Sequence, residues 1–571
     1  MAKIALLPPE ISQKIAAGEV IERPFSAVKE LVENSLDADA SSIRVDLQSG
    51  GKGLIRVQDD GGGMSREDAL LAFERHSTSK IRQEDDLDHI ATLGFRGEAL
   101  ASISSVSRLV LRTSDGGQKA VEVSREGERL LGVKDIAPAR GTTVEVRDLF
   151  FNLPARLKFL KSDQSELAQV AKFLTSIACA FPGVAFSLSH GARELFSWPR
   201  VGTLRERLYQ AYGKALIDRL MEVDHSEGPS RLHGFASRPP AGRADRSQQF
   251  FYVNRRPVKD RTLLAGLNQA FRPLLEKNLC AEAFLFLAHP LGEVDVNVHP
   301  AKSEVRFRDP QAVFRLVLRA VERAALGEGA VKPVVFGRPD AADGSSMKVE
   351  ERAEARLFGD PFDPARTAEW SKDAFPKPAT QEGDLRVLGQ YLDMYIVAAS
   401  EEGLFVIDQH NAHEKVLYEK YKEIKKERAW PRKMALIPLL MDLAPSEVLS
   451  LEANRALFEE SGFRVEEAGG RTYALKEYPD ILKDEEAKRI FLGLLGEVKG
   501  EKLGGREDKI LATLACKTAV KAGEPLAQAK MEYLVQELFK LPQHSLCPHG
   551  RPVLLRIERS QVDKGLRRPS N

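Results

Sequence analysis

Behind Pro24, which suits the first turn of a helix, apolar residues fall at Val28, Leu31, Val32 and Leu36, the spacing of one face of an α-helix. Glu30, Asn34 and Asp37 then share the other, polar face. The pattern next changes to alternation over residues 43–47 and 54–59, joined by Ser49-Gly-Gly-Lys-Gly, which predicts a β-hairpin. Further strands are predicted at 108–112, 120–124 and 142–146, giving a helix on an antiparallel or mixed sheet, an α+β arrangement. Far downstream a strand over 395–407 leads into a helix over about 409–425. Between these parts, from about 332 to 384, Pro, Gly, Asp, Ala and Arg dominate and no apolar period persists. Such a run buries too little surface to offset its ordering entropy and reads as a flexible linker.

At 571 residues the chain exceeds a single core and implies about three or four compact units. Lys plus Arg at 84 nearly cancels Asp plus Glu at 83, so any nucleic-acid surface must be a local patch. No run approaches the ~20 apolar residues of a membrane span. Met1 to Leu7 is too short for a signal-peptide core, and a cytoplasmic protein without membrane contact is expected. Four cysteines do not make a disulfide scaffold. Cys179 and Cys280 lie in apolar sequence; Cys516 and Cys547 lie beside polar and basic residues and invite chemistry.

No G-x-x-x-x-G-K-[ST] occurs near the start, so a phosphate site of that kind is not expected. Glu30 and Asn34 stand one helical turn apart, where a carboxylate could activate water beside an amide oxygen on Mg²⁺. Taken alone, the pair reads as the solvated side of a helix; what favours the chemistry is the segments that accompany it. Asp59 at a strand end is followed by Asp60-Gly-Gly-Gly, whose glycines, Gly63 among them, permit close approach to a flat ligand. Gly94-Phe-Arg-Gly-Glu-Ala-Leu places glycines before a helix start, whose amides suit phosphate oxygens, and Gly141-Thr-Thr opens another strand.

In this order the segments resemble the GHKL ATPase superfamily. Ile15-Ala-Ala-Gly-Glu-Val-Ile-Glu-Arg-Pro, Glu30-Leu-Val-Glu-Asn-Ser-Leu-Asp-Ala, Gly94-Phe-Arg-Gly-Glu-Ala-Leu-Ala-Ser-Ile and Asn297-Val-His-Pro-Ala-Lys narrow the likeness to the MutL family of DNA mismatch-repair proteins. That resemblance implies ATP and Mg²⁺ as ligands, with Glu30 as general base, Asn34 on Mg²⁺, and Asp59 on the adenine amino group near Thr142. It implies that Thr78, Ser79, Lys80, Gly94, Phe95, Arg96 and Gly97 form the lid and phosphate region, and that Lys302 meets the γ-phosphate. The implied domains are a GHKL ATPase domain over 1–212, a ribosomal-S5-like α/β domain over 213–330, the linker over 331–384, and an α/β carboxy-terminal dimerisation and nuclease domain over 385–571 with a regulatory insertion at about 440–508.

A basic cluster, Arg255, Arg256, Lys259 and Arg261, is by composition alone a solvated face. The resemblance makes it a DNA surface, with Arg261 at a position used for DNA contact, and phosphate contacts of this kind are sequence-tolerant and salt-sensitive. From Asp408 the chain reads Asp-Gln-His-Asn-Ala-His-Glu, putting His410 and Glu414 on one helix face; Ala515-Cys-Lys and Cys547-Pro-His-Gly-Arg-Pro follow far downstream. Mixed N, O and S donors suit Zn²⁺ or Mn²⁺. The three segments resemble those of family members with a latent endonuclease, which implies metal ligands at Asp408, His410, Glu414, Cys516, Cys547 and His549, with Asp408 and Glu414 catalytic and Glu419 completing the motif. Asn411 departs from the usual alanine. The resemblance also implies a homodimer and, as partners, DNA, the mismatch-recognition protein MutS and the replication sliding clamp. For the clamp, Lys433-Met-Ala-Leu-Ile-Pro has lysine where glutamine is usual, which leaves that contact open. Two rival readings stand beside this one: a coupling protein without nuclease activity, and another GHKL machine such as a topoisomerase subunit or chaperone.

Overall fold

The computed structural model describes residues 21–74, 77–80, 92–94, 97–117, 119–137, 139–243, 245–275, 279–295, 304–326, 385–426, 430–497, 503–521 and 523–566. Phe95, Arg96, the 297–302 motif with Lys302, and the expected linker lie outside these. The chain divides into two compact units, Met1–Glu328 with Tyr418–Thr518, and Gly329–Leu417 with Ala519–Asn571. The expected 385–571 domain thus contributes to both.

In the first unit, helix α1 (Pro24–Asp37) starts at Pro24 after extended backbone at Arg23 and buries Ala27, Val28, Leu31, Val32 and Leu36. It packs on an eight-stranded sheet of β1 (Ser42–Gln48), β2 (Leu54–Asp59), β3 (Arg108–Ser114), β4 (Ala120–Glu126), β5 (Arg129–Ile136), β6 (Gly141–Arg147), β7 (Ala185–His190) and β8 (Arg193–Trp198). The order is β5-β4-β3-β6-β2-β1-β7-β8, mixed because β1 and β7 run parallel. The predicted hairpin closes with Ile43 opposite Asp59 and Gln48 opposite Leu54. Its pleat sends Val45, Leu47, Ile55 and Val57 into the core, each side chain contributing about 1.5–3 kcal/mol by leaving water. Helix α2 (Asp163–Ala180), capped by Ser162, lies beside α1 and adds Val170, Ala171 and Leu174 to the same core.

A second sheet, β9 (Leu220–Glu227), β10 (Ser230–Ser237), β11 (Gln249–Val253), β12 (Arg256–Val258) and β13 (Ala283–Ala288), has the order β12-β11-β13-β10-β9. Two helices, Arg261–Phe271 and Pro310–Leu326, pack together beside it; Gly266 lets them close, since a Cβ there would lie 2.9 Å from Val317 Cβ. The same unit holds a three-stranded sheet of Arg432–Asp442, Thr472–Pro479 and Arg464–Gly469. Its neighbouring helix Pro445–Ala453 packs along α2, and a buried ion pair, Arg243 Nη2 to Glu447 Oε1 at 2.8 Å, accompanies the contact.

In the second unit, strands Arg386–Tyr391, Tyr395–Ser400, Gly403–Asp408 and Leu554–Glu558 form one antiparallel sheet in that order. The single strand expected over 395–407 is in fact a hairpin. A continuous apolar run lies on each side of Glu401-Glu402 and masks the reversal, which pairs Ser400 with Gly403. Helix α3 (Gln409–Lys426) follows directly, close to expectation, and the division between the units falls within it, after Leu417. Ile396, Ala398, Phe405, Ile407, Leu534 and Leu538 lead the core of this unit.

Candidate active site

At the end of β2, Asp59 is 8% exposed and both carboxylate oxygens are engaged. Oδ1 accepts from Gly61 N at 3.0 Å and Thr142 N at 3.1 Å, and Oδ2 accepts from Ser35 Oγ at 2.7 Å. Burial pushes the carboxyl above its ordinary range, and these donors pull it only part of the way back. A carboxylate offers about four acceptor sites, so one remains for a ligand N–H. The backbone is closely fitted here. Gly141 has φ +89°, and a Cβ would fall 2.1 Å from Asp59 O; at Gly63, with φ +66°, it would fall 1.8 Å from Ser114 O. No side chain fits either place, so the backbone around Asp59 packs directly on backbone.

One turn pair along, α1 presents Glu30 and Asn34, both partly buried. Asn34 Oδ1 accepts from Lys80 Nζ at 2.9 Å, and the same ammonium lies 2.6 Å from Asp37 Oδ2. The amide oxygen is therefore already turned toward a cation, and a Mg²⁺ ion taking it would replace the Lys80 ammonium. Lys80 N in turn donates to Thr78 Oγ1 at 3.2 Å. Asp37, one turn beyond Asn34 on the face read from the sequence but given no role there, proves to be the hub. It accepts from Leu93 N at 2.8 Å and Gly94 N at 2.9 Å besides Lys80. The structure thus brings Asn34, Asp37, Lys80 and Gly94 together at the last turn of α1, with Glu30 one turn earlier; Gly97 packs on Ser77, just before helix Ala99–Ser105.

In the second unit, Glu414 on α3, and Cys547 and His549 of the turn before Leu554–Glu558, bring one ligand atom each within 4.8 Å of the others. Glu414 is 2% exposed at its side chain, and His549 Nδ1 lies 2.6 Å from Glu414 Oε1. That oxygen is buried and has no well-aligned donor. Burial would raise the Glu414 carboxyl, yet the imidazole beside it prevails and holds it below the ordinary range. Cys547 and Glu414 together push His549 up to about 10. A carboxylate, a thiol sulfur and an imidazole converging within 4.8 Å are N, O and S donors of the kind a borderline-soft cation takes, so the donor set fits a metal ion.

The other expected ligands are not among these three converging groups. His410 Nδ1 lies 2.8 Å from Val520 O, so Nδ1 carries the proton and Nε2 keeps its lone pair for a metal. His413, unremarked in the sequence, accepts from Val520 N at 3.0 Å, so the two imidazoles hold the two peptide groups that flank the Val520 Cα. Asp408 Oδ1 accepts from Asn411 N at 2.9 Å and caps the helix start. Cys516, partly buried on helix Leu503–Thr518, belongs to the first unit and is not one of the three converging ligands. Asn411 is buried, and its Nδ2 donates to Pro552 O at 3.1 Å, so this departure from alanine ties the ligand-bearing turn to α3.

Of the basic cluster, Arg255, Lys259 and Arg261 are exposed. Arg256 is not: it is 5% exposed and its Nη2 donates to Thr92 O at 2.8 Å. Its place on a surface for DNA is therefore withdrawn.

The polar end of α1, the buried Asp59 with its donors and the mixed sheet define a class, and a family model described as "Histidine kinase-, DNA gyrase B-, and HSP90-like ATPase" matches residues 21–126. The first unit carries a GHKL-type ATPase domain. Models for "DNA mismatch repair protein, C-terminal domain" and "MutL C terminal dimerisation domain" match 208–326 and 388–526. DNA mismatch repair protein MutL of Koribacter versatilis is 36% identical over 100% of both chains, that of Symbiobacterium thermophilum 37% over 100% of both, and that of Trichlorobacter lovleyi 38% over 99% of both. The chain belongs to the MutL family of DNA mismatch repair proteins. Among solved structures, "Aquifex aeolicus MutL ATPase domain complexed with ADP" is 30% identical over 52% of this chain and 98% of that one, with a TM-score of 0.37. No helix among the described residues is long and apolar enough to cross a membrane.

Proposed function

We propose that this mismatch-repair protein hydrolyses ATP in its first unit and nicks DNA through a metal site in its second. In the ATPase half, Glu30 takes the proton of the attacking water, Asn34 holds Mg²⁺, Asp59 accepts from the adenine amino group, and Lys302 senses the γ-phosphate. For the nuclease, cations of the Zn²⁺ or Mn²⁺ type would lower the pKa of water and stabilise the leaving oxygen of a phosphodiester. Glu414, Cys547 and His549 would hold them, His410 would offer Nε2, and Asp408 would add charge at the helix start. The observation that carries the nuclease reading is the convergence of Glu414, Cys547 and His549 from segments more than a hundred residues apart, around a buried carboxylate oxygen without a good donor. Supercoiled plasmid incubated with the protein and Mn²⁺ is expected to become nicked. Plasmid left intact at protein excess would return the second unit to dimerisation and coupling alone.

DNA, MutS, the sliding clamp and a second copy of the chain are the partners of this reading, in the cytoplasm. Exposed Arg255, Lys259 and Arg261 supply phosphate contacts. Arg261→Glu is expected to weaken binding alike on all sequences and to make log K against log salt shallower by about 1. Binding isotherms at two salt concentrations test this, and unchanged affinity at both would mark the cluster as a solvated face. For the clamp, Met434, Leu436 and Ile437 are 73%, 95% and 79% exposed, an apolar strip that supports docking there even though Lys433 pairs with Asp484.

A further inference from the structure

The β11–β12 hairpin turns at Asn254 and Arg255, both with positive φ (49° and 67°), and pairs Val253 with Arg256. A two-residue turn of this hand is stiff, so the place of Arg256 follows that of the second sheet. Its guanidinium is carried to the ATPase end of α1. Nη2 holds Thr92 O, Nη1 is buried without a hydrogen-bond partner, and the charges it senses are Glu33, Asp37 and Glu30 of α1. A buried guanidinium with an unused donor is costly unless an anion comes to meet it.

Thr92 begins a short strip that is pinned from the opposite side by Asp37, through Leu93 N and Gly94 N, and internally by Thr92 Oγ1 on Gly94 O at 2.7 Å. Two anchors from different domains therefore fix the approach to the phosphate-region glycines, and only one of them belongs to the ATPase fold itself.

We propose that Arg256 is a positioning residue for nucleotide hydrolysis, by which the second domain fixes the 92–94 strip and supplies positive charge beside the acidic end of α1 where a polyphosphate would lie. The inference rests on the ATPase reading above. It makes the rate depend on how the second sheet sits against α1, because moving β12 moves the guanidinium with it.

The test uses the full chain and three forms: unaltered, Arg256→Met and Arg256→Lys. Met keeps the buried bulk without charge or donors; Lys keeps the charge with a single point of contact. Thermal melting establishes that each is folded, equilibrium binding of ADP reports the adenine end, and steady-state hydrolysis gives kcat and KM for ATP. Arg256→Met is expected to lose at least about 10-fold in kcat with ADP affinity within about 3-fold of the unaltered chain. Arg256→Lys is expected to regain part of the rate, remaining about 3-fold low. A purely structural guanidinium would shift the melting temperature and leave kcat and KM of the folded protein alone, and that result in Arg256→Met overturns the proposal. Should Arg256→Met not fold, Arg256→Lys decides: lowered kcat with retained ADP binding supports positioning, and unaltered kcat overturns it. An unaltered chain that fails to hydrolyse ATP would instead overturn the ATPase reading, and this proposal with it.

Discussion

Glu30→Ala is expected to hold ATP about as tightly as the unaltered chain and to hydrolyse it at least about 100-fold more slowly, the range over which a positioned general base usually acts. The separation follows from where contacts lie along α1. Glu30 stands one turn before Asn34, while Asp59, the acceptor proposed for the adenine end, is held by Ser35, Gly61 and Thr142. Removing the Glu30 carboxylate leaves the Asp59 hydrogen bonds and the Asn34 amide as they are. It also leaves the fold as it is, since α1 is held by Val28, Leu31 and Val32 on its other face. Asn34→Ala should behave in the opposite sense: it deletes the oxygen that now accepts from Lys80, and Mg-ATP affinity should fall before any intrinsic rate does. Equilibrium binding of Mg-ATP and single-turnover hydrolysis, measured on both variants, distinguish the two roles. Wild-type turnover by Glu30→Ala would remove Glu30 from the chemistry.

How much of this was legible beforehand depended on the range of the interaction. Helix α1 and the β1–β2 hairpin were readable because their signals are local: Pro24 with apolar residues three and four apart, then alternation across a glycine-rich turn. The second-unit hairpin was missed because both arms are unbroken apolar runs and only Glu401-Glu402 marks the turn; the buried positions change from even (Ile396, Ala398) to odd (Gly403, Phe405, Ile407) across it. Asp37 lay on the right helix face, but its worth comes from Leu93 N, Gly94 N and Lys80, which no spacing rule brings near. Arg256 failed in an instructive way. Four basic residues within seven positions look like one patch, yet a tight turn at 254–255 sends one of them inward while Arg255, Lys259 and Arg261 stay exposed. The convergence of Glu414 with Cys547 and His549 was legible only through whole-motif likeness; as spacing, Cys-Pro-His is no metal signature.

His549→Ala and Asp408→Asn are the changes expected to act most strongly on the second unit, and they should act differently. His549 is exposed, with 46% of its side-chain surface accessible, so its loss removes little packing. What it removes is the partner of a Glu414 carboxylate that is 2% exposed, and a buried carboxylate stripped of its cation is strongly destabilising. His549→Ala should therefore copurify with less metal, nick plasmid at least about 100-fold more slowly, and melt its carboxy-terminal unit at a lower temperature unless Zn²⁺ or Mn²⁺ is supplied. Asp408→Asn should keep its fold, because an asparagine oxygen can still accept from Asn411 N and asparagine caps helices as well as aspartate does. It loses only a negative charge at the start of α3, so its nicking should fall by a similar factor at near-normal thermal stability. Both variants should hydrolyse ATP at the unaltered rate, since Glu30 and Asn34 belong to the first unit. Metal analysis, plasmid nicking with Mn²⁺, ATP hydrolysis and melting with and without a chelator, run on all three proteins, separate these effects. Equal metal content and equal nicking throughout would mean that Glu414, Cys547 and His549 meet for structural reasons alone.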